Sequence, residues 1–204
     1  DTEKEVAAIA APANYKDPEK IAAYIDAKRH EVLAAADERY RKTALSGTYG
    51  EILCVGFAFG NEEPTVISRT LDQHENVVLG DFWRAVRGRR IHHWVGHNLL
   101  DFDLRFLFQR SVIRGIRPSV EVPHDASPSH PGVYDTMTRW AGWRNRISLD
   151  DLCLALGFHG KNGMDGSQVW DYVRDDRYEE IVEYCADDVR LARECYRKMT
   201  WGGL

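Results

Sequence analysis

The stretch Ile91-His92-His93-Trp94-Val95-Gly96-His97-Asn98-Leu99-Leu100-Asp101-Phe102-Asp103-Leu104-Arg105-Phe106-Leu107-Phe108 decides how this chain is read. A short apolar segment, Ile91 to Val95, gives way to glycine and polar residues, and a second apolar segment opens at Leu104. That order predicts a strand over about Arg90 to Val95 that hands over to a helix, with Asp103 at the junction. A carboxylate there is placed to hold a divalent cation. Its counterpart lies far along the chain, in Tyr184-Cys185-Ala186-Asp187-Asp188. The run from Tyr178 to Met199 reads as helix, and a spacing of four puts the Tyr184 phenol and the Asp188 carboxylate on one helical face.

Hydrolysis of a phosphodiester needs a nucleophilic water and stabilisation of charge on the phosphoryl and leaving oxygens. Two Mg2+ or Mn2+ ions roughly 4 Å apart supply all three. Such ions take oxygen ligands, and carboxylates from separate elements hold them beside a substrate phosphate. Asp103 and Asp188 are the candidate ligands. Tyr184 is the candidate for positioning the attacking water by hydrogen bonding, since a phenol with a pKa near 10 is a poor general base. Each pattern alone also fits ordinary structure. A helical Tyr-x-x-x-Asp describes a solvated acid beside a half-buried ring, and Asn98 to Asp103 describes a helix cap followed by a core aromatic. Their order and separation favour the catalytic reading.

On these residues the chain resembles the DEDD superfamily of 3′→5′ exonucleases, in its tyrosine-bearing branch. More closely, it is similar to the predicted phage and bacterial exonucleases related to the proofreading domain of family B DNA polymerases. Asn98 to Asp103 matches the superfamily's second motif, and Tyr184 to Asp188 matches the third. A helix ending in Leu156-Gly157, followed by Lys161, has its parallel in family B proofreading domains. Further similarity runs through Pro12 to Pro18, Tyr134-Asp135-Thr136-Met137 and Gly166-Ser167-Gln168-Val169. The resemblance implies a ribonuclease H-like α/β fold, with a mixed central sheet flanked by helices. It implies an enzyme that uses two divalent cations, Mg2+ or Mn2+, to release nucleoside monophosphates from single-stranded DNA 3′ ends. His97 and Asn98 would shape the pocket, Phe102 would wedge against the terminal base, and Lys161 would hold a phosphate as a point charge. RNA as substrate stays open, because none of these residues reveals a test for the 2′-hydroxyl. So does a non-catalytic nucleic-acid-binding or adaptor module on a nuclease fold.

The superfamily's first motif, Asp-x-Glu, ends a central strand. Asp1-Thr2-Glu3 has its letters, but no apolar segment precedes them and the residues that follow read as helix or loop. The expectation is therefore that the motif-bearing first strand lies upstream of residue 1, with Asp1 and Glu3 as the alternative.

A length of 204 residues suits one exonuclease-like domain, 1–204, with a helical insertion over 17–44 that begins at a capping Asp17 and a first-turn Pro18. Strands are expected over 51–59 and 65–71, helices over 72–86, 135–141, 149–156, 168–173 and 178–199, and a proline-rich loop over 118–132. No apolar run approaches the roughly 20 residues of a membrane span, so a cytoplasmic protein with no membrane partner is expected, and the resemblance implies a bacterial or phage-encoded one. Four cysteines without Cys-x-x-Cys spacing indicate free thiols. A formal net charge of −5 argues against a protein that coats nucleic acid. The distribution is uneven: eight arginines and two aspartates between Arg84 and Arg117, against nine acids and two arginines between Asp165 and Asp188. Arg110, Arg114 and Arg117 are expected to be exposed together on one helix face. Core packing is expected for most of the six tryptophans, with Trp140 and Trp143 as the candidates for base stacking.

Overall fold

The computed structural model describes residues 2–160, 164 and 166–202. Where the sequence suggests one domain, the chain divides into two compact units, Asp1–Gly50 and Glu51–Leu204.

The first unit holds α1 (Thr2–Ala7) and α2 (Pro18–Thr43). Asp17 caps α2 by accepting from the Glu19 N–H at 3.0 Å, with Pro18 at the first helical position. No residue of α2 is fully buried, and ion pairs one turn apart, Arg41–Asp37 at 2.8 Å and Lys42–Glu38 at 2.7 Å, line its solvated face. Arg39 reaches Glu5 of α1 at 2.8 Å. Glu3 sits in the first turn of α1. The glutamate of Asp1-Thr2-Glu3 is thus helical and does not end a strand; Asp1 lies outside the described residues.

The second unit is mixed α/β. β1 (Cys54–Phe57) pairs antiparallel with β2 (Thr65–Ser68), from Cys54 opposite Ser68 to Phe57 opposite Thr65. β3 (Trp94–Gly96) pairs in parallel with β4 (Val133–Asp135). Among the described residues these are two separate two-stranded sheets, not the single central sheet expected. The strands are shorter than their apolar runs because side chains take over the flanking backbone. The Ile52 N–H donates to Glu75 Oε2 at 2.8 Å, and the Ile52 carbonyl accepts from Arg69 Nε at 2.8 Å.

Around the sheets lie α3 (Asn76–Val86), α4 (Asp103–Arg114), α5 (Thr136–Ala141), α6 (Leu149–Ala155), α7 (Val169–Arg174) and α8 (Tyr178–Met199). Val78, Leu79, Phe82, Trp83 and Val86 form the buried stripe of α3 and meet Leu104, Phe106 and Leu107 of α4 in the main core. α4 stops at Gly115, whose φ of 66° is the left-handed conformation of a helix end. α8 packs against both sheets and against α5, α6 and α7. Its Cys195 meets Cys153 of α6 with sulfurs 3.6 Å apart, both buried and not joined in a disulfide. Among the described residues no helix is long and apolar enough to cross a membrane.

One expectation is corrected here. Arg110, expected among the exposed arginines, is buried, and Ile113 of the same helix is exposed. The reason is Glu75, which is shut off from solvent. It accepts from Arg110 Nε at 3.1 Å, from a second Arg110 nitrogen, from Arg114 Nε and from the Ile52 N–H. Arg114 also reaches Glu51 at 2.8 Å, and Glu51 in turn holds Arg69 at 2.7 Å. Burial raises the Glu75 carboxyl, but these bonds outweigh it and hold it at about 2. Two of the arginines that gave the 84–117 segment its basic look are therefore neutralised within the fold.

Candidate active site

Three acids approach one another from three elements. Asp103 opens α4, Asp188 lies midway along α8, and Asp135 ends β4. Asp103 keeps part of its surface open to solvent while protein atoms crowd it closely. That crowding is the largest influence on its carboxyl; its own backbone N–H opposes it, and the charges of Asp135 and Asp188 add to it. Together they push it up to about 7. Cys185 senses the same acids. Its thiol is raised by the hydrogen bond with Cys54, by burial, and by the charges of Asp188 and Asp103.

Glycine makes this convergence possible. A Cβ on Gly56 of β1 would meet Cys185 Sγ at 2.7 Å and Val189 Cγ2 at 3.0 Å. The bare backbone lets α8 settle on β1 at the turn that carries Tyr184 and Asp188. Tyr184 is half-buried and packs against Met164, Val173 and Ile181, with its hydroxyl 3.9 Å from a Cβ built on Gly166.

Asp135 has a different task from the other two acids. Its carboxylate accepts the N–H groups of Met137 (3.0 Å) and Thr138 (3.3 Å), which caps α5. It also accepts those of Asn98 (3.1 Å) and Leu100 (3.0 Å), which fixes the turn leading to Asp103. Three of these donors converge on Oδ1 and one on Oδ2, so the carboxylate acts as a positioning group for the two segments that it ties together. The sequence quoted Asp135 without assigning it this task, and only its place just before a helix signals a cap.

Asn98 takes φ 61°, a left-handed conformation asparagine tolerates better than most residues, and its Oδ1 is buried with no hydrogen-bond partner among the described residues. His97 lies beside it, with both ring nitrogens engaged: Nδ1 at 2.9 Å from Thr136 Oγ1, and Nε2 at 2.9 Å from the Ile147 carbonyl. A carbonyl only accepts, so Nε2 carries a proton. The ring thereby ties the end of β3 to α5 and to the segment before α6. Phe102 is half-buried at the start of α4, its ring 5.4 Å from Phe106. Lys161 lies outside the described residues.

As donors to a hard cation, Asp103 and Asp188 fit, since Mg2+ is commonly held by one or two carboxylates with waters and substrate phosphates completing the shell. Among the described residues no group of three or more His, Cys, Asp or Glu side chains converges on a metal position. No curated protein matches the chain. Residues 52–199 match the model of the predicted 3′-5′ exonucleases related to the exonuclease domain of PolB, and the chain belongs to that family.

Proposed function

We propose that this chain is a metal-dependent 3′→5′ exonuclease that releases nucleoside monophosphates from single-stranded DNA ends. The observation that carries the reading is the acid cluster itself: Asp103 at the start of α4 lies within electrostatic reach of Asp135 at the end of β4 and Asp188 on α8, with no cationic side chain paired to it among the described residues. Family membership over residues 52–199 supports it. In this reading Asp103 and Asp188 hold a divalent cation, which activates water and neutralises charge on the phosphoryl oxygens. Tyr184 orients the attacking water from one turn of α8 before Asp188. Asn98 and Phe102 bound the terminal nucleotide, and Lys161 holds a phosphate.

The resemblance to ribonuclease H-like nucleases calls for one further strand. Among the described residues β1 pairs only with β2 and β3 only with β4, while α8 spans both sheets.

A rival reading, a non-catalytic nucleic-acid-binding module, is favoured by the two-carboxylate donor set. Digestion of a 5′-labelled single strand separates the two, with Mg2+ or Mn2+ and with chelator, for the chain alone and extended through its native upstream sequence. A metal-dependent ladder from the 3′ end, abolished in Asp188→Ala and slowed in Tyr184→Phe, supports the nuclease. Binding without cleavage by either length supports the module. Comparing DNA with RNA of the same sequence assigns the sugar.

A further inference from the structure

Four of the six tryptophans are exposed: Trp140 at 46 %, Trp143 at 64 %, Trp170 at 43 % and Trp201 at 97 %. Core packing, expected for most of the six, holds for Trp83 and Trp94. Trp140 and Trp143 differ from the other two in their surroundings. From Thr136 to Leu149 the chain has three arginines and no acid. Arg139, Arg144 and Arg146 are all exposed, and none makes an ion pair among the described residues. Elsewhere exposed arginines commonly have a carboxylate within reach, as in Arg84–Asp81, Arg177–Glu180 and Arg190–Asp187. Arg139 lies instead over the ring of Tyr134, 5.3 Å from its centroid. The turn after α5 is held by Asn145, whose Nδ2 donates to the Ala141 carbonyl at 3.0 Å.

We infer that the end of α5 and the turn after it form a stacking platform for a single-stranded oligonucleotide, the bases lying on Trp140 and Trp143 and the phosphates meeting Arg144 and Arg146. Exposed indoles beside unpaired guanidiniums match a ligand that offers apolar ring faces and negative charge at every repeat. The platform is joined to the acid cluster, because the helix that carries Trp140 is capped by Asp135. Trp140 stands five positions beyond Asp135, about 8 Å along the helix axis. That is roughly two stacked nucleotides at about 3.4 Å each. The inference deepens the nuclease reading and rests on it for the strand's polarity: the platform would take the nucleotides just 5′ of the terminal one.

The test is anisotropy of 5′-fluorescein oligothymidylate of twelve nucleotides in chelator, so that binding is read without cleavage, with metal-dependent digestion measured in parallel. Trp143→Ala and Trp140→Ala should each weaken binding by about fivefold to a hundredfold. Trp143→Phe should recover most of that loss, and Trp201→Ala should bind as the parent does. Arg144→Gln and Arg146→Gln should each lower the slope of log affinity against log salt by about 0.7. Equal affinity in the Trp140→Ala/Trp143→Ala double variant, no binding of single strands by the parent, or equal competition by polyglutamate would overturn the platform. Normal digestion by the parent with unchanged affinity in the double variant sinks the platform alone. Tryptophan-dependent binding without digestion upholds the platform and sinks the nuclease.

Discussion

Glu75 is an acid shut off from solvent and Asp103 one that stays partly open to it, and the two meet opposite company. Glu75 is ringed by Arg110, Arg114 and a backbone N–H, which hold its carboxyl at about 2. Asp103 faces Asp135 and Asp188, and crowding together with those charges pushes it to about 7. The first cluster is complete as the chain folds. The second is a concentration of negative charge that folding alone leaves unfavourable, and a cation would complete it. In the proposed reading, charge balance separates an acid that serves stability from one that serves chemistry.

The comparison can be broken by substitution. Asp188→Ala should lower metal-dependent exonuclease turnover by roughly 10³-fold, the scale for losing one element of electrostatic stabilisation at a reacting phosphate. Thermal unfolding in chelator should meanwhile be unimpaired, because a repelling charge has gone. If turnover survives, the acid cluster is not catalytic. Glu75→Gln should do the reverse, costing about 3–5 kcal/mol as two guanidiniums lose their buried partner. For a unit of this size that lowers the melting temperature by about 10 °C. A shift of a degree or two would mean the cluster is dispensable.

Acid and base titration should sharpen the contrast, since the signs are opposite. A carboxyl depressed from 4.5 to about 2 contributes stability that is present above about pH 4.5 and is lost as pH falls toward 2. One raised from 3.8 to about 7 favours the protonated fold, so in chelator that contribution is lost as pH rises from about 4 to 7. Denaturant melts of the parent and Asp103→Asn across pH 4 to 8 should diverge, the variant gaining relative stability toward neutrality. Parallel curves would remove the like-charge account. The smallest effect is expected at Asn98, whose φ of 61° makes Asn98→Gly nearly neutral and Asn98→Ala costly by about 1 kcal/mol in the same melts.

Local chemistry was legible in the sequence where it acts over a few residues. The Asp17-Pro18 start of α2, the junction at Asp103 and the Tyr184–Asp188 face of α8 all follow from spacing and capping. Arg110 was misread because its partner Glu75 is 35 residues away, and no helical period reveals which face a distant carboxylate claims. β4, at three residues, is too short to show alternation. The division into two units also escaped detection, since the polar face of α2 reads the same on an insertion as on a separate unit. The candidate site was half legible: its candidate acids stand in motifs, whereas Asp135 serves through four backbone amides that only folding brings together.

Those four amides also bear on the thermodynamics of ligand capture. A turn whose N–H groups are already held by an internal carboxylate has given up its conformational freedom during folding. Whatever Asp103 captures then meets a rigid seat, and little configurational entropy remains to be lost when it arrives.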